Sequence, residues 1–359
     1  MNRKIIISGM MLLIVLGTIP FFFILLDKPE VDRYERTLIT FQVDVGVRNL
    51  GNSPAVDIPL RLALPMDDLH HQRIISLDIS RLPQRESNDT WGNRFVHYTI
   101  SQVGPGEVFN LTLNVTVELI SIDTEVKSSQ KEPGPGENEE LSKFLLESSL
   151  INVNDPSIID LARDIAGRSS RIDDVAWNTY EWILDNIFYQ QVPGEWDAVT
   201  TLRNGEGGSA EMANLFVALM RANGIPARRI SGWGNFFEKG EELSITRFSH
   251  GWAEFYVPGQ GWVQVDPAWG KTSKFDNFAR TDADHVILTK GADIKFLWRG
   301  PFTTPFGDTE VKTDYYLKVI DKQIENISPK REIIKWSILS VPLIFVAFIL
   351  VRLIKIRRV

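Results

Sequence analysis

The chain of 359 residues contains no cysteine. A thiol nucleophile, a disulfide bond and a thiolate ligand for zinc are therefore all excluded. Any covalent catalysis by this protein must use another nucleophile, such as a hydroxyl. The absence of cysteine does not decide the redox compartment, because a chain of this length can bury an ample core without disulfides.

Histidine and positive charge are also scarce. The sequence has five histidines, a net charge of −7 and a pI near 5.4. Because a surface that binds phosphates needs a basic excess, we expect no nucleic-acid partner. His70 and His71 beside Asp67 and Asp68 are candidate metal ligands, but adjacent residues on a strand point to opposite faces. We therefore expect a solvated loop there, and neither a metal nor another cofactor.

Two hydrophobic segments lie near the ends of the chain. Residues 5–26 form an apolar stretch that is too long for the core of a signal peptide, which predicts a transmembrane signal anchor. Residues 333–354 predict a second transmembrane helix, and basic residues follow it. The positive-inside rule then puts both termini in the cytoplasm of a two-pass protein of the cell membrane, with the main domains outside. Lys330 and Arg331 on the other flank argue against this orientation.

Residues 32–125 have the pattern of short alternating strands separated by turn residues. This pattern predicts an antiparallel β-sandwich of immunoglobulin-like size, without the disulfide of antibody domains, in a spacing or docking role. The predicted strands are 38–45, 58–64, 95–100 and 109–119.

A polar segment separates this region from a second domain. Residues 126–140 are charged and interrupted by a Pro-Gly-Pro-Gly run, which is typical of a linker. In the domain that we predict at 141–325, Asp155 and Pro156 have the residue types of a helix N-cap and first helical position. Apolar residues at helical spacing between 171 and 187 predict a second helix.

The clearest helical pattern begins at Ser209. Apolar residues recur at helical spacing from Met212 to Met220, and Gly224 and Pro226 terminate the pattern. The free amides and the positive end of the dipole at a helix N-terminus can stabilise an oxyanion there. Serine is also a preferred N-cap residue, so a purely structural role for Ser209 is the alternative.

The segment 249–267 predicts a β-hairpin that joins a histidine to a carboxylate. Its apolar residues share one face only if Tyr256 pairs with Trp262, which requires a loop of odd length. In that register His250 and Asp266 are diagonal neighbours on one face, roughly 7–8 Å apart at the backbone. We therefore expect an imidazole–carboxylate hydrogen bond.

Five motifs together resemble the transglutaminase-like superfamily, and the resemblance covers residues 156–270. It implies an α+β, papain-like core of helices and antiparallel sheet. The motifs are AVTTL at 198–202, GEGGSAEMA at 205–213, LMRANGIPAR at 219–228, HGW at 250–252 and GWVQVDP at 261–267.

The resemblance implies a catalytic triad with one substitution. The position of the family's nucleophilic cysteine corresponds to Ser209, whereas His250 and Asp266 match the base and its carboxylate partner. Serine stays protonated at neutral pH, so it would have to lose its proton to His250 during attack.

Four further residues are candidates for a substrate groove. Gly207 and Gly208 would let a substrate backbone approach closely. Trp196 precedes them, and some members of the superfamily use an upstream tryptophan as an oxyanion donor. Trp252 is the fourth candidate, although tryptophans more often serve as core residues.

Two functions from different classes follow. The first is a membrane-anchored, extracytoplasmic acyl transferase, amidase or peptidase that acts on peptide or protein amides. The second is a catalytically inactive transglutaminase-like domain that binds peptides or proteins at the cell surface. The retained His250 and Asp266 favour the enzyme, and the loss of the thiol favours the binding module.

Overall fold

The structure is a computed structural model that describes residues 31–32, 35–126, 138–234, 237–244, 247, 249–272, 277–291 and 302–326. Both predicted membrane spans, at 5–26 and 333–354, and most of the predicted linker lie outside these residues. No helix within the described ranges has the length and apolar character needed to cross a bilayer.

Strands predominate in the described residues, and the helices cluster between residues 138 and 272. In chain order the strands are β1 Val31–Asp32, β2 Glu35–Asn49, β3 Ala55–Ala63, β4 Gln72–Ile79, β5 Arg85–Asn88, β6 Arg94–Val103, β7 Val108–Ile120, β8 Ile122–Thr124, β9 Phe188–Tyr189, β10 Glu206–Gly207, β11 Ala227–Gly234, β12 Glu242–Ser244, β13 Ser249–Val257, β14 Gly261–Val265, β15 Arg280–Thr281, β16 His285–Lys290, β17 Phe302–Phe306 and β18 Thr309–Asn326. The helices are α1 Asn138–Leu141, α2 Pro156–Ala166, α3 Ile172–Asn186, α4 Ala198–Asn204, α5 Ser209–Ala222 and α6 Pro267–Thr272, with a 3-10 helix at Ser142–Leu145.

Two antiparallel sheets make up the part that we call the β-domain. One has the strand order β12-β18-β2-β7-β4 and the other the order β3-β6-β5. Alternate residues of β2, such as Phe41 and Val43, are buried in one apolar core together with Leu62 and Tyr98 of the other sheet. The four strands predicted here are confirmed as β2, β3, β6 and β7. An immunoglobulin-like topology stays a prediction.

The last described strand belongs to the β-domain. β18 pairs with β2 along its whole length, from Val311 opposite Asn49 to Asn326 opposite Glu35. The sequence pattern predicts instead that residues 141–325 all belong to the second domain. Pairing between strands that are far apart in the chain leaves no local signal, which is why this return to the first sheet was not predicted.

The predicted helices are confirmed, and they surround α5. Asp155 caps α2 by accepting a hydrogen bond from the Ser157 amide, and Pro156 is the first helical residue. Residues 211–221 of α5 are all buried, and α5 packs against α2, α3 and β13. A helix that is buried on every side is the centre of its domain.

A four-stranded antiparallel sheet with the order β14-β13-β11-β16, which we call the site sheet, carries the predicted hairpin. Tyr256 pairs with Trp262, which confirms the predicted register and the three-residue loop between Val257 and Gly261. Gly259 and Gly261 have φ angles of 74° and 95°, in the left-handed region where glycine is unstrained.

The β-domain covers the other face of the site sheet. The prediction of a solvated loop is confirmed for Asp67 and His70, which are exposed, and is wrong for His71. His71 is completely buried, and its ring nitrogens lie 2.8 and 2.6 Å from the carbonyl oxygens of Ile120 and His285. The Lys290 ammonium bonds Asp68 at 2.5 Å and Glu254 at 3.1 Å. Burial of His71 and Lys290 is possible because the polar atoms of their side chains find partners.

We predict that Lys290→Met destabilises the fold by roughly 3–5 kcal/mol, because it leaves the Asp68 carboxylate without its cation, whereas Glu254 keeps its ion pair with Arg228. Urea denaturation measures this. Lys239→Met is the matched control, since Lys239 pairs with Asp321 at the exposed surface and such pairs contribute about 0–1 kcal/mol. Equal losses in the two variants would contradict a stabilising role for the buried cation.

Candidate functional site

Ser209 is the first residue of α5 and faces β13. Gly208 precedes it as the N-cap residue, so the alternative in which Ser209 caps the helix is wrong. The Ser209 hydroxyl oxygen accepts a hydrogen bond of 3.3 Å from the amide of Gly251, and the residue is 8% exposed. The helix start and the strand that carries His250 are therefore in direct contact.

Two glycines make this contact possible. A Cβ atom on Gly251 would lie 3.0 Å from Cα of Ala210, in the first turn of α5. A Cβ atom on Gly234 of β11 would lie 2.9 Å from Cδ2 of the His250 ring. Such distances are shorter than ordinary carbon contacts, so both positions require glycine while Ser209 and His250 keep their places.

The predicted pair of His250 and Asp266 is confirmed as a hydrogen bond. Nε2 of His250 lies 2.6 Å from Oδ2 of Asp266, and both residues are buried. Burial raises the pKa of Asp266, but attraction to His250 and hydrogen bonds from both His250 and His285 outweigh it and hold this pKa well below its usual range. Asp266 is therefore an ionised carboxylate.

The ring nitrogen of His250 that could accept a proton from a nucleophile is Nδ1. Nε2 is occupied by Asp266, and Nδ1 is the ring nitrogen nearer the main chain, where the Ser209 oxygen meets the Gly251 amide. Within the described residues, no hydrogen bond joins the Ser209 hydroxyl directly to the His250 ring. A proton transfer from Ser209 thus requires a small rearrangement of the hydroxyl.

A second histidine shares the Asp266 carboxylate, and the sequence pattern did not predict it. Nε2 of His285 lies 3.0 Å from Oδ2 of Asp266, while its Nδ1 lies 2.8 Å from Oδ1 of Asp282. Burial lowers the pKa of His285, but the two carboxylates outweigh it and raise this pKa to about 10. One signal in the sequence could have indicated it: His285 begins an apolar strand and follows the segment Asp282-Ala283-Asp284.

His250, Asp266 and His285 are close enough together to be considered as ligands of a metal ion. One ligand atom from each of His250, Asp266 and His285 lies within 4.8 Å of the others. However, both ring nitrogens of His285 face carboxylate oxygens, so both carry hydrogens and neither offers a lone pair. The arrangement described fits a network of shared protons and does not fit a bound metal.

Glu211 holds the predicted groove residue Trp196 beside the helix start. Its carboxylate accepts hydrogen bonds from the amides of Gly208, at 3.1 Å, and Trp196, at 3.3 Å. Asn214 donates to the carbonyl of Trp196 at 3.2 Å. The main chain of Trp196 is therefore anchored to the first turns of α5, close to Ser209.

The two groove glycines have a structural use. A Cβ atom on Gly207 would lie 2.6 Å from Cβ of Glu211, and one on Gly208 would lie 3.0 Å from Oε2 of the same residue. The space above both glycines is thus filled by Glu211 and not by an open groove. Because neither glycine has a side chain, the Glu211 side chain can fold back and bond the Gly208 amide at the start of its own helix.

Trp252 lies behind the site. It is 1% exposed, and its ring is stacked on His250 with 5.7 Å between ring centroids. Its indole nitrogen donates a hydrogen bond to Gln264 at 3.0 Å. Trp252 therefore supports the His250 ring from the protein interior and does not line a surface open to solvent.

A further edge of the site is formed by β9, which pairs with β10 directly before Gly208. Tyr189 of β9 accepts a hydrogen bond from the Gln191 amide at 3.2 Å. Burial raises the pKa of Tyr189, and nearby Asp266 and Glu211 contribute to the rise. The neighbouring Phe188 is 63% exposed, so this edge presents an aromatic ring to solvent.

Residues 159–267 match the Transglutaminase-like superfamily. The chain therefore carries a transglutaminase-like domain, and its helices and antiparallel sheet have the papain-like arrangement.

Two relatives match a part of this chain. A stretch of 66 residues is 38% identical to the protein-glutamine gamma-glutamyltransferase of Pseudomonas aeruginosa and covers 18% of this chain and 10% of that enzyme. A stretch of 68 residues is 37% identical to the uncharacterised protein YebA of Bacillus subtilis and covers 17% of this chain and 9% of YebA. The chain thus spans about a tenth of the length of these relatives.

A solved structure resembles a larger part of the chain. A protein from Cytophaga hutchinsonii, described as a candidate cysteine protease, superposes with a TM-score of 0.52. The superposition covers 83% of this chain and 93% of that chain at 17% sequence identity. Identity this low establishes a common fold and nothing about activity.

We predict that Gly251→Ala lowers the free energy of unfolding by about 1–3 kcal/mol, because the added methyl group forces α5 away from β13. Urea denaturation gives the value. Gly46→Ala is the control, since a Cβ atom there would meet its nearest neighbour at 3.6 Å, an ordinary contact. If both variants were as stable as the native protein, the contact between α5 and β13 would not depend on glycine.

Proposed function

We propose that the transglutaminase-like domain performs acyl transfer or hydrolysis on peptide or protein amides, with Ser209 as nucleophile, His250 as general base and Asp266 as the residue that orients His250. The observation that carries this proposal is the buried hydrogen bond between His250 and Asp266 in direct contact with the start of α5. Burying a carboxylate costs stability, and a buried carboxylate that is hydrogen-bonded to a histidine is typical of a functional site.

The reaction would proceed in two halves. Nδ1 of His250 takes the hydroxyl proton as Ser209 Oγ attacks the amide carbonyl carbon, and the free amides at the start of α5 stabilise the oxyanion. His250 then gives its proton to the departing amine, which leaves an ester on Ser209. An amine or a water molecule attacks this ester, releases the acyl group and returns the proton to Ser209 through His250.

We predict that a serine-directed covalent probe labels Ser209, and that labelling falls at least about 100-fold in Ser209→Ala and His250→Ala, because the hydroxyl depends on its base. Mass spectrometry of the labelled peptide measures this. Ser87→Ala, in the β-domain, is the matched control and should label like the native protein. Equal labelling of native protein and Ser209→Ala would refute the catalytic role.

One observation favours the second candidate, a peptide-binding module without activity. Among the residues that the structure describes, the Ser209 hydroxyl has a hydrogen bond with the Gly251 amide and none with His250. A site shaped for a thiol need not position a hydroxyl, and an error of about 1 Å can cost roughly 100-fold in rate. Absence of labelling in a correctly folded native protein would support the binding module.

We further propose that the protein is a two-pass protein of the cell membrane, with the described domains outside the cytoplasm. The support is the pair of apolar segments at 5–26 and 333–354 and the basic residues at both termini. Peptide or protein amides at the cell surface would then be the substrates.

We predict that protease added to intact cells digests residues 31–328, while tags on both termini stay protected. Immunoblotting for each tag checks this result, and cells made permeable with detergent provide the control in which both tags are lost. Protection of the middle of the chain in intact cells would place the domain in the cytoplasm and remove the argument for a surface substrate.

A further inference from the structure

The buried Asp266 carboxylate has two imidazole partners where an acid–base pair needs one. Oδ2 of Asp266 lies 2.6 Å from His250 and 3.0 Å from His285, and Oδ1 accepts the amide of Trp269 at 3.0 Å. Removing His285 would leave a complete His–Asp pair. Its presence in the cluster therefore needs an explanation beyond the orientation of His250.

The hydrogen bonds of His285 define its charge. Its Nδ1 faces Asp282 at 2.8 Å and its Nε2 faces Asp266 at 3.0 Å. An ionised carboxylate only accepts hydrogen bonds, so both nitrogens must be donors and the ring must be an imidazolium. Asp282 also accepts the amide of Asp284 at 2.9 Å, which is consistent with an ionised Asp282.

Aromatic rings enclose His285. The rings of Trp269 and Trp252 lie 4.3 and 4.9 Å from it, centroid to centroid, and hold the imidazole in place. The carbonyl of His285 meets Nε2 of His71 from the β-domain at 2.6 Å. The titratable groups that face His285 are thus Asp266, Asp282, His250 and, at its main chain, His71.

We propose, on the basis of the function proposed above, that His285 is a positioning residue which shares the Asp266 carboxylate as an imidazolium and so favours the neutral, proton-accepting form of His250. Its ring centroid is 5.3 Å from that of His250, so a second positive charge on His250 would be repelled. A thiol nucleophile can use a protonated histidine in an ion pair, whereas a serine needs a neutral one.

This arrangement matches the nucleophile to its base. In a site with only His250 and Asp266, the full negative charge of the carboxylate would favour the imidazolium form of His250. With His285 present, part of that attraction is already satisfied. The device would compensate for the presence of serine where the superfamily resemblance predicts cysteine.

The charge of His285 also has a consequence for stability. The pKa of His285 is raised to about 10 from an ordinary value of 6.5. A group with a raised pKa in the folded state contributes stability in full below its unfolded pKa. That contribution is lost as the pH rises through the folded pKa, which here means between about pH 6.5 and 10.

The first arm of the test is nitrogen-15 NMR of the five histidine rings in the full-length protein. Both ring nitrogens of His285 should stay protonated at pH 8 in the native protein. In Asp282→Asn, which keeps the ring in place, the second proton should be lost at a lower pH. A neutral His285 ring at pH 7 in the native protein would overturn the proposal, whether or not Ser209 reacts.

The second arm compares native protein, His285→Gln and the control His70→Gln, whose histidine is exposed. Glutamine can still donate a hydrogen bond to Asp266 but carries no charge. The His250 ring should become protonated at a pH higher by about one unit or more in His285→Gln, and the acidic limb of the Ser209 labelling rate should move equally. The control should match the native protein in both measurements.

The outcomes separate the two proposals. Absence of Ser209 labelling, with the NMR shift of His250 present, refutes the proposed activity and supports the role of His285. Labelling whose pH profile is the same in His285→Gln and in native protein overturns the role of His285 and leaves the activity standing. If His285→Gln does not fold, Asp282→Asn replaces it in both measurements, with a shift in the same direction expected.

Discussion

The site depends on one buried negative charge, the carboxylate of Asp266. Asp266 is 3% exposed, so its oxygens must be satisfied by protein donors, and these are His250, His285 and the amide of Trp269. Each donor comes from a different element, namely β13, β16 and α6. The three hydrogen bonds to this single carboxylate thus fix the relative positions of three parts of the domain.

The β-domain also helps to position the site, because its side chains bond β16. His71 and Gln72 bond the main chain of β16 at His285 and Ile287, and Asn93 bonds it at Lys290. Since β16 is the edge strand of the site sheet, these side chains satisfy main-chain groups that no neighbouring strand of that sheet pairs with. The β-domain therefore does more than space the transglutaminase-like domain, because it holds the strand that begins with His285.

Local patterns predicted most of the elements near the site and failed where distant segments meet. The helix at Ser209, the register of Tyr256 with Trp262 and the contact of His250 with Asp266 follow from periodicities of 3.6 and 2 and from glycine placement. His285 could not be assigned, because its partners are brought together by β16, which joins β11 far from it in the chain. His71 was misjudged because its burial arises from the β-domain packing on the site sheet. The catalytic roles stay predictions.

The pairing of β2 with β18 determines how the folded part is attached to the segments that flank it. Glu35 lies opposite Asn326, so the chain enters and leaves the β-domain at the same end of this strand pair, within ten residues of each predicted span. Phe41, six positions into β2, contacts Trp233 of the site sheet. This contact is about 20 Å along the strand from that end. If both segments cross a bilayer, the domain is suspended from a single point. In the proposed function, Ser209 would then act only on molecules close to the lipid surface.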